Sequence, residues 1–190
     1  MAVSTNGWTF ITSSLDPRLR TITIPGTSKR ITVRRGVAPL LAAFLADVHA
    51  RGIVNLQRNQ QFTAGWNPRE TASGALSNHG SGTAVDMRWD ILKPDGQRHM
   101  TPEQIDGIHR LLSLYVTGSG KRVFGWGGDY RRTIDEMHIE LGQAWQPGVG
   151  SPVTRADVRA VRQRLGITRN GVRRLRSDGT PRRRSRKAAA

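Results

Sequence analysis

The stretch SNHGSGTAVD, residues 77–86, sets His79 and Asp86 seven positions apart around Gly80 and Gly82, and His138 follows further along in DEMHIEL. Two imidazoles and a carboxylate supply three ligands for a tetrahedral zinc, and a fourth position left to water is the pattern of a catalytic site. The chain has no cysteine, which excludes a disulfide scaffold, a thiolate metal site and a cysteine nucleophile. Any metal must therefore rest on histidine and carboxylate. Gly80 and Gly82 would let the backbone turn sharply between the first two ligands and approach a metal closely. Spacing alone leaves a second reading open, since a histidine beside glycine is common in loops and a lone aspartate is common at strand edges.

Bringing these residues together requires two strands. In TAVDMRW (83–89), Ala84, Asp86 and Arg88 share one face and Val85, Met87 and Trp89 the other. In EMHIEL (136–141), Glu136, His138 and Glu140 share a face opposite Met137, Ile139 and Leu141. Each strand has an apolar side for a core and a polar side for the site. TITI (21–24) and ITVR (31–34) alternate across PGTSKR and predict a hairpin. Residues 37–51 place Val37, Leu40, Leu41, Phe44, Leu45 and Val48 on one helical face, with Gly52 as the stop. At TPEQ, Thr101, Pro102 and Gln104 predict a capped helix that buries Ile105, Ile108, Leu111, Leu112 and Tyr115. The expected fold is α+β, a small, mainly antiparallel sheet with helices packed on it and the zinc site on the sheet.

Ser77, His79, Gly82, Ala84 and Asp86 fill the fixed positions of an S-x-H-x-x-G-x-A-x-D signature, and Asp135 with His138 supplies an acidic-x-x-H partner. Together these resemble the zinc D-alanyl-D-alanine carboxypeptidase and L-alanyl-D-glutamate endopeptidase group, which cuts D-amino-acid-containing peptides of bacterial walls. The flanks GWNPRETASGALSNHGSGTAVDM and FGWGGDYRRTIDEMHIEL look like the peptidase domain of endolysins from bacteriophages of actinobacteria. The resemblance covers roughly residues 35–145. It implies one zinc on His79, Asp86 and His138, Asp135 as general base, and Arg69 holding a substrate carboxylate or polarising the scissile carbonyl.

Ser77 and Trp126 are further substrate-contacting candidates. Ser77 reads as a hydrogen-bonding partner, because no G-x-S-x-G elbow surrounds it. Trp126 could equally be a core aromatic, as could Trp66 and Tyr130. Many members of the group carry glutamate where this chain has Asp135, which makes Glu136 a rival base. Strict alternation puts Glu136 on the His138 face, so Asp135 must lie in a turn before the strand or on a bulge. Glu140 either orients His138 or is an exposed strand carboxylate. His49 and His109 read as solvated helix positions, and His99 as a loop residue.

The charge is unevenly spread. Residues 151–190 hold 13 Lys and Arg against 2 Asp and Glu, whereas residues 1–150 hold 17 against 12. That shift, after QPGVGSP, predicts a peptidase domain over 1–150 and a basic tail over 151–190. Within the tail, TRADVRAVRQRLGI predicts one amphipathic helix opened by Thr154 and Asp157, with a faint likeness to the first helix of peptidoglycan-binding repeats. Disorder is expected from about 176. The tail is expected to meet a polyanion: wall polymer, anionic lipid or nucleic acid.

The N-terminal segment lacks a basic region followed by an apolar run, so synthesis in the cytoplasm, action on the bacterial wall and release with the help of another factor are expected, as a monomer. The leading function is a zinc endopeptidase of peptidoglycan stem peptides. A D-alanyl-D-alanine carboxypeptidase could use the same site, and a nucleic-acid-binding protein with a structural metal would account for the charge, although only charge and no recognised motif supports it.

Overall fold

The computed structural model describes residues 1–57 and 63–174. The predicted hairpin is present as β1 (Leu19–Thr23) and β2 (Arg30–Arg34), antiparallel with Thr21 opposite Thr32 and Ile22 opposite Ile31. It leads into α1 (Ala38–Ala50), where the expectation of one apolar face proves too narrow. Ala38 through Leu45 are buried without interruption, Ala42 and Ala43 included, so elements pack on this helix from nearly every side.

The second sheet orders its strands β3 (Thr63–Ala64), β4 (Ala84–Met87), β6 (His138–Leu141) and β5 (Phe124–Trp126), all neighbours antiparallel. Two of these, β3 and β5, are too short to show an alternating pattern in sequence. The two strands expected to carry the site are adjacent and central, with Asp86 directly opposite His138. Both are shorter than predicted. Arg88, at φ 47°, ends β4 by turning the chain away. Strand β6 starts only at His138, so Asp135 lies before it, in the turn closed by the His138 N–H on the Asp135 carbonyl at 3.2 Å.

Helix α2 (Pro102–Leu114) begins as read. Thr101 Oγ1 accepts from the Gln104 N–H at 3.3 Å, and Gln104 Oε1 accepts from the Thr101 N–H at 2.9 Å. Ile108, Leu111, Leu112 and Tyr115 are buried against α1 and the sheet, while Ile105 is only partly covered.

Helix α3 (Arg155–Arg164) forms from the predicted Thr154 and Asp157 capping box. Val158, Val161, Leu165 and Ile167 belong to the same core cluster as α1, α2 and the sheet. Polar contacts add to this: Trp8 Nε1 donates to the Val153 carbonyl at 2.9 Å, Lys121 pairs with Asp157 at 2.9 Å, and Arg173 pairs with Asp47 at 2.6 Å. The described part of the expected tail, residues 151–174, thus shares the core of residues 1–150. The expectation of disorder from about 176 lies outside the described residues.

Candidate metal centre

Strands β4 and β6 deliver Asp86 and His138, and the turn before β4 delivers His79. His79 Nε2 lies 3.1 Å from Asp86 Oδ1 and 3.1 Å from His138 Nδ1, and His138 Nδ1 lies 3.0 Å from Asp86 Oδ1. One ligand atom from each converges on a common point, all within 4.8 Å of one another. All three residues are buried.

The outer nitrogens of both rings are engaged. His79 Nδ1 sits 2.7 Å from the Gly65 carbonyl, which can only accept, so this nitrogen carries the proton and Nε2 presents its lone pair inward. His138 Nε2 sits 3.2 Å from Glu140 Oε2, which likewise leaves Nδ1 facing Asp86. A carboxylate behind a ligating histidine is a recurrent way to set its tautomer and raise its basicity. Glu140 is itself held by Asn78 Nδ2 on one oxygen and, on the other, by Tyr130 OH at 2.9 Å, Gln146 Nε2 at 2.8 Å and Gln143 Nε2 at 3.0 Å. Of the two readings of Glu140, the geometry is that of the orienting group. The alternation of β6 carries the signal for this, since residues 138 and 140 share a face; Asn78 and Tyr130 come from other segments and Gln143 and Gln146 from the turn after β6, and no pattern linked them to Glu140.

The charges are strongly coupled. Burial would raise the Asp86 carboxyl, but hydrogen bonds from His138 and His79 together with their charge hold it well below the carboxylate range. Burial likewise opposes ionisation of Glu140, and its His138 and Asn78 partners win, lowering it to about 2. Burial disfavours the charged form of His138, yet its bonds to Asp86 and Glu140 raise its pKa well above the ordinary value. A site that draws this much positive charge between two carboxylates suits a cation. Once the inward proton of His138 is displaced, two ring nitrogens and a carboxylate, with their outer shell in place, fit zinc.

Asp135 and Glu136 separate cleanly. Glu136 is 1% exposed and accepts from the backbone N–H groups of His99 and Met100, each at 2.7 Å, and from Arg98 at 3.2 Å. It ties down the approach to α2 and has no oxygen to spare. Asp135 Oδ1 is buried with no hydrogen-bond partner among the described residues. Its pKa is raised, by burial first, and it feels the charges of His138, Asp86, His79 and Arg69. Arg69 reaches Asp86 Oδ2 from its Nη2 at 3.4 Å while its side chain stays 50% exposed.

Ser77 is buried, and its Oγ accepts from the His79 N–H at 3.2 Å, supporting the turn that carries the ligand. Trp126 is 1% exposed, donates to the Glu136 carbonyl at 2.8 Å and packs edge-on to His109 at 5.5 Å. Of its two readings the core aromatic is the one observed, because its position on β5 pairs it with Ile139 on the apolar side of the sheet. His49, His99 and His109 instead contact the Leu56 N–H, Asp95 and Asp129.

The turn between the ligands rests on residues that gave no sequence signal. Asn6 donates from its side chain to Thr83 Oγ1 at 2.9 Å, its backbone N–H bonds Asn78 Oδ1 at 3.0 Å, and Ser4 Oγ bonds Ser81 Oγ at 2.8 Å. The glycines serve this packing. Gly82, at φ 69°, passes so close to the next segment that a Cβ would lie 2.6 Å from the Arg34 nitrogen, and a Cβ on Gly80 would strike the Phe10 ring. The expected close approach is to neighbouring segments of the protein.

An α+β fold with a buried His-Asp-His group on a central pair of antiparallel strands defines a candidate metal centre. Residues 71–141 match a family described as D-alanyl-D-alanine carboxypeptidase, a span that holds His79, Asp86, Asp135 and His138. That match and the candidate metal group together support a metallopeptidase. No curated protein and no solved structure matches the chain.

Proposed function

We propose that this protein is a zinc-dependent peptidase that hydrolyses an amide bond in the stem peptides of bacterial peptidoglycan, acting as an endopeptidase of the endolysin kind. The observation that carries the reading is the convergence of His79, Asp86 and His138, with tautomers set by Gly65 and Glu140, inside the span that matches the carboxypeptidase family. Zinc held by these three residues would lower the pKa of water to about 7 and polarise a carbonyl as a Lewis acid.

The chain's own groups do the rest. Asp135, with a buried oxygen that has no partner among the described residues, takes the proton of the attacking water and passes it to the leaving amine. Arg69 keeps half its side chain open and offers planar donors to a substrate carboxylate or to the oxygen on which charge develops. Ser77 acts on substrate only through the turn that carries His79.

The family's description favours a second reading, a carboxypeptidase that releases a terminal D-alanine from the same site. Digestion of purified peptidoglycan, with the new termini identified by mass spectrometry, separates the two. New internal amines are expected; free D-alanine alone would establish the carboxypeptidase, and an unaltered wall would overturn both.

A further inference from the structure

Trp145 is 58% exposed, although a free indole ring is costly to leave in water. The turn that presents it, between β6 and α3, is held by side-chain hydrogen bonds. Gln146 is buried, accepts from the Gln143 N–H at 2.6 Å and donates to Glu140, while Gln143 donates to Glu140 and accepts from Trp145 Nε1 at 3.2 Å. The indole packs on Tyr130 at 5.5 Å between ring centres, and Tyr130 in turn lies 6.2 Å from the His138 ring. An exposed apolar ring is thus tied to the carboxylate beside His138 by the hydrogen bonds of Gln143 and by its contact with Tyr130, whose hydroxyl donates to Glu140 at 2.9 Å. Ordinary surface aromatics need no such fixation, whereas aromatic anchors at binding sites gain from it, because little motion is then lost on contact.

We propose that Trp145 is a specificity-determining wall of the peptidase site, covering an aliphatic side chain of the stem peptide some distance from the bond that is cut. The inference rests on the peptidase reading above. The two ring separations together span at most about three residues of extended peptide, each of which advances about 3.5 Å. The indole therefore senses substrate length: a full stem peptide reaches it, and a minimal fragment around the cleaved bond does not.

The test compares wild type, W145A and W145F on a length series of stem peptides, from the complete peptide down to the shortest fragment that wild type still cuts. W145A is expected to raise KM for the complete peptide about tenfold, in keeping with the loss of an aromatic anchor, while kcat stays within about twofold. On the shortest fragment the two enzymes should be indistinguishable, and W145F should recover most of the loss. Metal content should equal that of wild type in both variants. A W145A enzyme with unchanged KM on the complete peptide, with an equal defect at every length, or with its metal lost would overturn the proposal and leave the peptidase reading standing. A wild-type protein that cuts no peptide of the series would overturn both.

Discussion

Asp135, the proposed general base, is a partly buried carboxyl close to the His-Asp-His group. Burial raises its pKa, and one oxygen has no partner among the described residues, so ionising it in the folded state costs free energy that a base needs to be reactive. A carboxyl whose folded pKa exceeds its unfolded value subtracts stability once pH rises above the unfolded pKa, and the deficit is complete above the folded one. Asp135→Asn should therefore raise the thermal midpoint of the chelated protein at pH 7, by a few degrees if the orphaned group costs about 1–3 kcal/mol. The gain should shrink on acidification towards pH 4, where wild type is protonated too. The same variant should retain metal and lose turnover, whereas His138→Ala should lose both. Metal titration alongside a peptidase assay checks each. Glu140→Gln keeps the shape of the orienting group but removes its charge, and metal affinity should fall about 10–100-fold, measurable by competition with a chelator.

The element that sets the geometry is the turn from Ser77 to Thr83. It lies across Arg34 and Phe10 and is bonded to residues 4–6, so the position of His79 depends on the hairpin and on the N-terminal segment. Gly82→Ala would place a methyl 2.6 Å from the Arg34 nitrogen in a backbone region that costs a non-glycine residue about 1–2 kcal/mol before any clash. The expected result is a protein destabilised by several kcal/mol that binds metal weakly, read by denaturant melts and by metal stoichiometry. Full stability with normal metal content would show that the turn can relax and that the close approach is unimportant.

For the whole molecule, the packing of residues 151–174 changes what truncation should do. Val158, Val161, Leu165 and Ile167 are all buried in the common core, and burying each such side chain is worth about 1.5–3 kcal/mol. Their sum is comparable with the whole stability of a domain, so removing residues 151–190 should unfold the protein or leave it prone to aggregation. Removing only residues 175–190 deletes six Lys and Arg and one Asp and leaves those four core side chains in the chain. Thermal midpoint and turnover of a soluble stem peptide should then stay close to wild type. Binding to whole walls should weaken at low salt, and added salt should erase the difference, because attraction between exposed charges is screened over about 8 Å at physiological ionic strength. Sedimentation with walls across a salt series measures this.

Read from sequence, the hairpin, both capping boxes and the α+β class were legible because each depends on spacing along nearby residues, and the candidate ligand group was named through the joint match of two motifs far apart in the chain. His79 and Asp86 stand seven apart, Thr101 and Gln104 three apart, and Ile22 and Ile31 alternate across a short turn. Where Asp135 and Glu136 stand needed the actual start of β6, which depends on where the Asp135 carbonyl closes its turn and on what Glu136 meets near α2. Tertiary structure alone decided that Glu140 gathers four donors from Asn78, Tyr130, Gln143 and Gln146, that Trp126 faces the core while Trp145 stands open, and that α3 belongs to the core. Local pattern states which face of an element is apolar; which surface covers that face depends on contacts between residues far apart in the chain, and no local pattern carries them.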